Sequence, residues 1–302
     1  MELGFELILG LAITGEPGFH RPVVSADGAL VAFTIECGGR HEAAVAHLDG
    51  SGFRRLTTND VEDWYPHFSP NGGRVVFFRG GEVDGVSRYD IVSLELTTGL
   101  ETVLSRTGAY EGDPAFTPDG LRIVFNSNRT GNHEVWIMNG DGSNQKRLTD
   151  NPLPDFSPKV RPGGRRIVYV AKDQEGYGLM LMDLDGQARH PLDVGRRENY
   201  KPEWAPDGRS LAFFGPVPSD RTGEPDLEIF RYDLEERRLT RLTNARGGDG
   251  DPYWTPDGKR ILFSTDRRGR DELYVMEADG SGQRLLFDDS ALVALTARCS
   301  GW

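Results

Sequence analysis

Six near-copies of one short phrase run through the chain and constrain it more than any other feature. They are RPVVSADG at 21–28, YPHFSPNG at 65–72, DPAFTPDG at 113–120, SPKVRPGG at 157–164, KPEWAPDG at 201–208 and DPYWTPDG at 251–258. The leading prolines stand at 22, 66, 114, 158, 202 and 252, each with a glycine six residues on. A fixed period of this size marks a repeat architecture. Within the third copy, Pro114–Thr117 reads as a short strand and Pro118-Asp119-Gly120 as a turn. Proline sets the first turn angle there and glycine accepts a positive φ. The stretches RIVFN, VWIM and KRLT follow, separated by further turn signals. Four strands per repeat is the pattern of a propeller blade. The middle strands are apolar at almost every residue, as expected of sheets covered on both faces. The expectation is an all-β protein: a six-bladed β-propeller with four antiparallel strands per blade, the blades at about 21–60, 65–108, 113–152, 156–195, 200–246 and 250–290. Residues 1–20 and 291–302 become closing segments, with 5–13 expected to pair at the outer edge of the last blade.

The phrase P-x-W-[ST]-P-D-G-K, then I-x-F-x-S-x-R-x-G-x-x-E-[IL]-Y-V-M-x-A-D-G and R-L-T, resembles the TolB-type β-propeller repeat. The resemblance runs from residue 21 to about 290. Repeat one departs from it with Val24 and Ala26, and repeat four with Val160 and Gly163. It implies the propeller fold; function has to be argued from a site, because folds host many functions. The N-terminal domain that accompanies the propeller in the family's namesake has no counterpart here, so a single propeller domain over 1–302 is expected.

The 302 residues carry a net charge of −12. An acidic surface repels phosphate backbones, so nucleic acid is excluded as a partner. Leu7–Ile13 is too short to span a bilayer. It follows Glu2 and Glu6 with no basic residue before it, unlike a secretory signal, so a cytoplasmic protein is expected. A periplasmic or extracellular one follows instead if a signal was removed before the numbering begins. Of the two cysteines, Cys37 and Cys299, free thiols are the default reading. A disulfide is the alternative, since a closed ring brings the chain ends together.

Candidate site residues follow from ring symmetry at the channel mouth. Three residues before each proline stand Phe19, Asp63, Glu111, Asp155, Asn199 and Asp249. The last five offer oxygen ligands that would suit a cation, Ca²⁺ first; read blandly, they cap the starts of inner strands. Directly before the prolines stand Arg21, Tyr65, Asp113, Ser157, Lys201 and Asp251. Their mixed signs suggest salt links across the channel, or a grip on an acidic or polyhydroxyl ligand. The unequal loops between second and third strands add Arg88, Tyr89 and Arg221 as ligand-binding candidates, with Asp84, Asp220 and Glu224 beside them. The acid opening the third strand, Glu42, Asp90, Glu134, Glu228 or Glu272, recurs and reads as structural; repeat four has Gly178. His20, His41 and His67 fall in the first two blades, where a trio would suit Mn²⁺ or Zn²⁺. Related propeller lyases acting on oligogalacturonate use such a metal, and the likeness here is to their repeat. Two functions follow: a binding or scaffold propeller holding a protein partner or a small polar or sugar ligand at the channel mouth, or a carbohydrate-active lyase or hydrolase using that mouth.

Overall fold

The computed structural model describes residues 18–37, 39–219 and 225–288. Twenty-four strands form six sheets of four. Blade one holds β1 (Phe19–Val24), β2 (Leu30–Cys37), β3 (Arg40–His47) and β4 (Arg54–Arg55); blade two holds β5 (Glu62–Phe68), β6 (Arg74–Val83), β7 (Val86–Glu95) and β8 (Glu101–Val103). Blade three holds β9 (Glu111–Phe116), β10 (Arg122–Ser127), β11 (Glu134–Asn139) and β12 (Lys146–Arg147); blade four holds β13 (Asp155–Val160), β14 (Arg166–Asp173), β15 (Gly176–Asp183) and β16 (His190–Leu192). Blade five holds β17 (Tyr200–Trp204), β18 (Ser210–Val217), β19 (Asp226–Asp233) and β20 (Arg238–Arg241); blade six holds β21 (Asp249–Trp254), β22 (Arg260–Thr265), β23 (Glu272–Glu277) and β24 (Arg284–Leu285). Strands pair antiparallel with their sequence neighbours, so each blade is a meander and none borrows a strand from another among the described residues.

The turn chemistry explains the repeat phrase. Thr117 Oγ1 donates to Asp119 Oδ1, the Gly120 amide donates to Thr117 O at 2.8 Å, and the Leu121 amide to Asp119 Oδ1 at 3.0 Å. Gly120 takes φ +71°, which a side chain would resist. Phe33, Phe77, Phe125, Phe213 and Phe263 are fully buried on the second strands, where neighbouring blades cover both faces. Trp204 and Trp254 lie in one core cluster with Phe213, Phe230 and Tyr274 of the fifth and sixth blades.

The ring closes between blades six and one. Phe19 and Phe33 share a core with Leu262, Leu273 and Phe287. The Phe19 amide donates to Asp271 O at 3.1 Å and the Arg21 amide to Ser264 Oγ at 2.9 Å. Cys37 is disulfide-bonded, which corrects the default reading of free thiols; its partner lies outside the described residues. The expected edge strand at 5–13 lies outside them too.

Candidate functional site

Every inner strand carries a bulge at one place. The register of β1 with β2 shifts between His20 and Val23, and the other five inner strands do the same at the matching position. The residue before each repeat proline has positive φ: Arg21 48°, Tyr65 56°, Asp113 51°, Ser157 50°, Lys201 47° and Asp251 50°. A bulge re-aims a side chain, and these six turn toward the axis, where all are buried.

They form a polar plug. Asp113 Oδ1 accepts from Arg21 Nη1 at 2.7 Å and from Lys201 Nζ at 2.7 Å, and Asp113 Oδ2 accepts from Ser157 Oγ at 2.8 Å. The Tyr65 ring lies 4.4 Å from the Arg21 guanidinium and 4.7 Å from the Lys201 ammonium. Two cations and two carboxylates balance one another. Burial would raise the Asp113 carboxyl, but Lys201 and Arg21 outweigh it and hold it well below the usual range. Burial lowers Lys201 to about 8, against the pull of Asp113. Burial raises Asp251 in spite of Arg21 and Lys201. The salt links across the channel are therefore present. Of the expected ligand-binding residues, Arg21, Asp113 and Lys201 spend their charges on one another, the Tyr65 ring lies against both cations, and Asp251 feels both cations. Of the rest, Arg88 is exposed on β7. Tyr89 packs its ring against Phe78 and Tyr110 at 5.3 and 5.1 Å. Arg221 falls outside the described residues.

The five oxygen-bearing positions expected to share a cation do not meet. Asp63 accepts from Arg79 Nε and Asn59 Nδ2, each at 2.6 Å. Glu111 pairs with Arg129 and accepts from Thr107 at 2.7 Å. Asp155 accepts from Asn151 at 2.7 Å, Asn199 donates to Arg196 O at 2.9 Å, and Asp249 pairs with Arg267 at 2.8 Å. Each partner lies in the same blade or in the segment leading into it, because the side chain three before the proline points along the sheet and not down the axis. Among the described residues no group of three or more His, Cys, Asp or Glu is placed to hold a metal, so the Ca²⁺ expectation has no cluster to rest on there. The histidine trio does not assemble either. His20 and His41 lie 5.7 Å apart, His41 is stacked on Trp64 at 3.7 Å, and His67 faces Tyr253 in another tier at 6.2 Å.

That other tier is what the sequence reading missed. The residues just after the prolines include His67, Lys159, Glu203 and Tyr253, and these floor a funnel of about 320 Å³. Its rim carries Pro70, Pro118, Pro162, Pro206 and Pro256, so it opens on the face of the Pro-Asp-Gly turns. Lys159 Nζ meets Glu203 Oε2 at 2.8 Å and lies 5.9 Å from the Tyr253 ring. Burial lowers the His67 imidazole well below its ordinary value, with Lys159 adding to the effect, so it is neutral at pH 7. The signal was available: like the residues before the prolines, those after them are unlike from blade to blade.

A closed ring of six four-stranded blades around a polar plug defines a six-bladed β-propeller. The family model of the TolB beta propeller domain matches residues 82–221 and 132–295, and the chain belongs to that family. It is 33% identical over 135 residues to an uncharacterized protein of Agrobacterium fabrum, covering 45% of each chain. It is 43% identical over 77 residues to the Tol-Pal system protein TolB of Anaeromyxobacter dehalogenans, covering 25% of this chain and 17% of that one. The matches thus span less than half the length of these relatives. Among solved structures, TolB from Acinetobacter baumannii superposes with a TM-score of 0.70 at 18% identity, over 92% of this chain and 65% of that one. No described helix is long and apolar enough to cross a membrane.

Proposed function

We propose that the protein is a binding propeller that receives an extended segment of a protein partner in the funnel on the Pro-Asp-Gly face. The observation that carries this reading is the funnel itself. A proline rim and the Trp204 and Trp254 walls surround a floor of unlike polar groups, Lys159, Glu203, His67 and Tyr253. Concave apolar sites with a few convergent polar groups are the usual ground for recognition. The rim is preformed, so little ordering entropy is lost on binding. The TolB name of its relatives fits a protein-binding role. The lyase or hydrolase reading has weaker support, since the three histidines and five oxygen-bearing residues that would serve it are spread over separate blades and tiers.

The disulfide at Cys37 favours an oxidising compartment, such as the periplasm, over the cytoplasm. Thiol titration of freshly purified, denatured protein should find no free thiol.

The funnel is tested by selecting peptides from a displayed library on the wild-type protein. Tyr253→Ala should weaken the selected peptides about tenfold or more, as loss of a central aromatic anchor does. Arg88→Ala, on the opposite loops, should leave them unchanged. The reverse pattern would place recognition on the loop face.

A further inference from the structure

The acid that opens the third strand is held by a threonine latch in blades one, three and five. Thr57 Oγ1 donates to Glu42 at 2.5 Å, Thr149 to Glu134 at 2.6 Å and Thr243 to Glu228 at 2.5 Å. The same threonines accept from the amides of Ala43, Val135 and Ile229. Blade four lacks both partners: Gly178 stands in the acid's place and Asp193 in the threonine's. Two consecutive arginines, Arg196 and Arg197, stand in the segment leading into β17, and no other described blade has a basic pair there. A Cβ on residue 178 would lie 2.6 Å from Arg197 Nη1, so the guanidinium occupies ground a side chain takes elsewhere.

The result is a recess of about 370 Å³ beside blade four, lined by Gly178, Leu179, Leu192, Asp193 and both arginines, with Glu175 and Pro191 also on its wall. Arg197 pairs with Asp173 and donates to Gly176 O at 3.3 Å, but its Nε is buried without a partner. Arg196 Nη2 donates to Pro216 O at 2.9 Å, and its guanidinium lies 3.9 Å from the Phe230 ring. Its Nη1 is buried without a partner, and among the described residues no carboxylate forms an ion pair with it. Glu198, the nearest acid in sequence, is engaged by the Tyr200 hydroxyl. Buried guanidinium nitrogens left unbonded are costly.

We propose that this recess binds a small monocarboxylate with a short apolar body, whose oxygens replace the carboxylate missing at Gly178. Arg196 and Arg197 both line the recess, and Arg197 Nη1 stands where the missing side chain would begin, so the two oxygens of one carboxylate can each take a guanidinium donor. Leu179, Pro191 and Leu192 supply apolar wall, and a recess of this size lies within the usual range of ligand sites. A single uncompensated cation, with Glu175 and Asp193 on the rim, favours one negative charge over the two of phosphate. The site stands apart from the funnel and does not depend on it.

The test is titration calorimetry on the full chain with butyrate, butanamide and inorganic phosphate at constant ionic strength. Butyrate should bind saturably, and butanamide and phosphate should bind more weakly or not at all. Arg196→Gln should weaken butyrate about tenfold or more, the value of one charged hydrogen bond. Gly178→Glu supplies the carboxylate from the chain itself: it should abolish butyrate binding and raise the melting temperature of the unliganded protein. Circular dichroism confirms that both variants fold, and the second stands if the first does not. The proposal is overturned by the absence of saturable butyrate binding, by equal binding of butanamide, by tighter binding of phosphate, or by unchanged butyrate affinity in Gly178→Glu.

Discussion

Blades three and four are neighbours with the same strand order, yet they differ in what holds them. In blade three Glu111 is paired with Arg129, Glu134 is latched by Thr149, and Asp113 carries the centre of the plug. In blade four Asp155 has no arginine in ion-pair contact among the described residues, Gly178 stands in the place of the latch acid, and Ser157 serves the plug as a donor to Asp113. Among the described residues blade three leaves one buried side-chain polar atom without a partner, Trp136 Nε1, whereas blade four and the segment that leaves it have three, Asp155 Oδ1, Arg196 Nη1 and Arg197 Nε. A repeat that has shed its stabilising devices while keeping the fold is where selection for something other than stability is to be sought.

The largest break in this comparison is at the plug. Asp113→Ala leaves Arg21 and Lys201 buried without their shared carboxylate and should cost about 3–5 kcal/mol, read by denaturant unfolding. Ser157→Ala removes one donor to that carboxylate and should cost about 1 kcal/mol. Equal costs for the two would mean that the network is not centred on Asp113.

A second difference is one of pH. Burial raises the Asp155 carboxyl to about 7, with Glu134 adding to it against the hydrogen bonds from Thr149 and Asn151. A group that binds its proton more tightly when folded contributes most below its unfolded value near 4, and that contribution is lost as pH rises through about 7. Asp155→Asn should therefore melt progressively higher than wild type as pH rises from about 4 to about 8. Parallel melting curves across that range would show that the carboxyl is not held in its neutral form. Asp249→Asn in blade six, where Arg267 pairs with the carboxylate, should instead be destabilising at neutral pH.

The latch gives a smaller effect. Glu134→Ala leaves Thr149 and the Asn151 amide without their acceptor and should cost about 1–3 kcal/mol in thermal unfolding. Blade four already lacks the acid, so Asp193→Ala should fall within about 0.5 kcal/mol of wild type. Smallest is Gly120→Ala, where a side chain at φ +71° should cost about 1 kcal/mol.

The ring was legible because the phrase that repeats is the phrase that turns the chain: Pro118-Asp119-Gly120 and its copies specify the turn between first and second strands, and the count of copies is the count of blades. The site was only half legible. The mixed charges at Arg21, Asp113, Lys201 and Asp251 pointed to links across the channel. The same symmetry, applied two residues earlier to Asp63, Glu111, Asp155, Asn199 and Asp249, led to an expected cation cluster, whereas these side chains bond to partners of their own blades or of the segments leading into them. Ring symmetry says that equivalent residues surround the axis; it does not say which of them point at it. That is decided by the bulge before each proline, a backbone feature that the residue types before it (Arg, Tyr, Asp, Ser, Lys, Asp) do not announce. The funnel floor followed from the same bulge, one residue beyond the proline.

The plug also bears on how many blades this ring can have. Repeat proteins whose units touch only their neighbours gain and lose units readily, because each added unit brings its own interface. Here Arg21 of the first blade, Asp113 of the third, Ser157 of the fourth and Lys201 of the fifth meet at one point, so no blade's contribution is local. Deleting the third or the fifth blade would leave an odd charge sealed at the axis, and duplicating either would add one. The arithmetic of two cations against two carboxylates makes the ring an indivisible unit: its blades evolve and unfold together, and change is left to the rim, the outer loops and recesses such as that beside blade four.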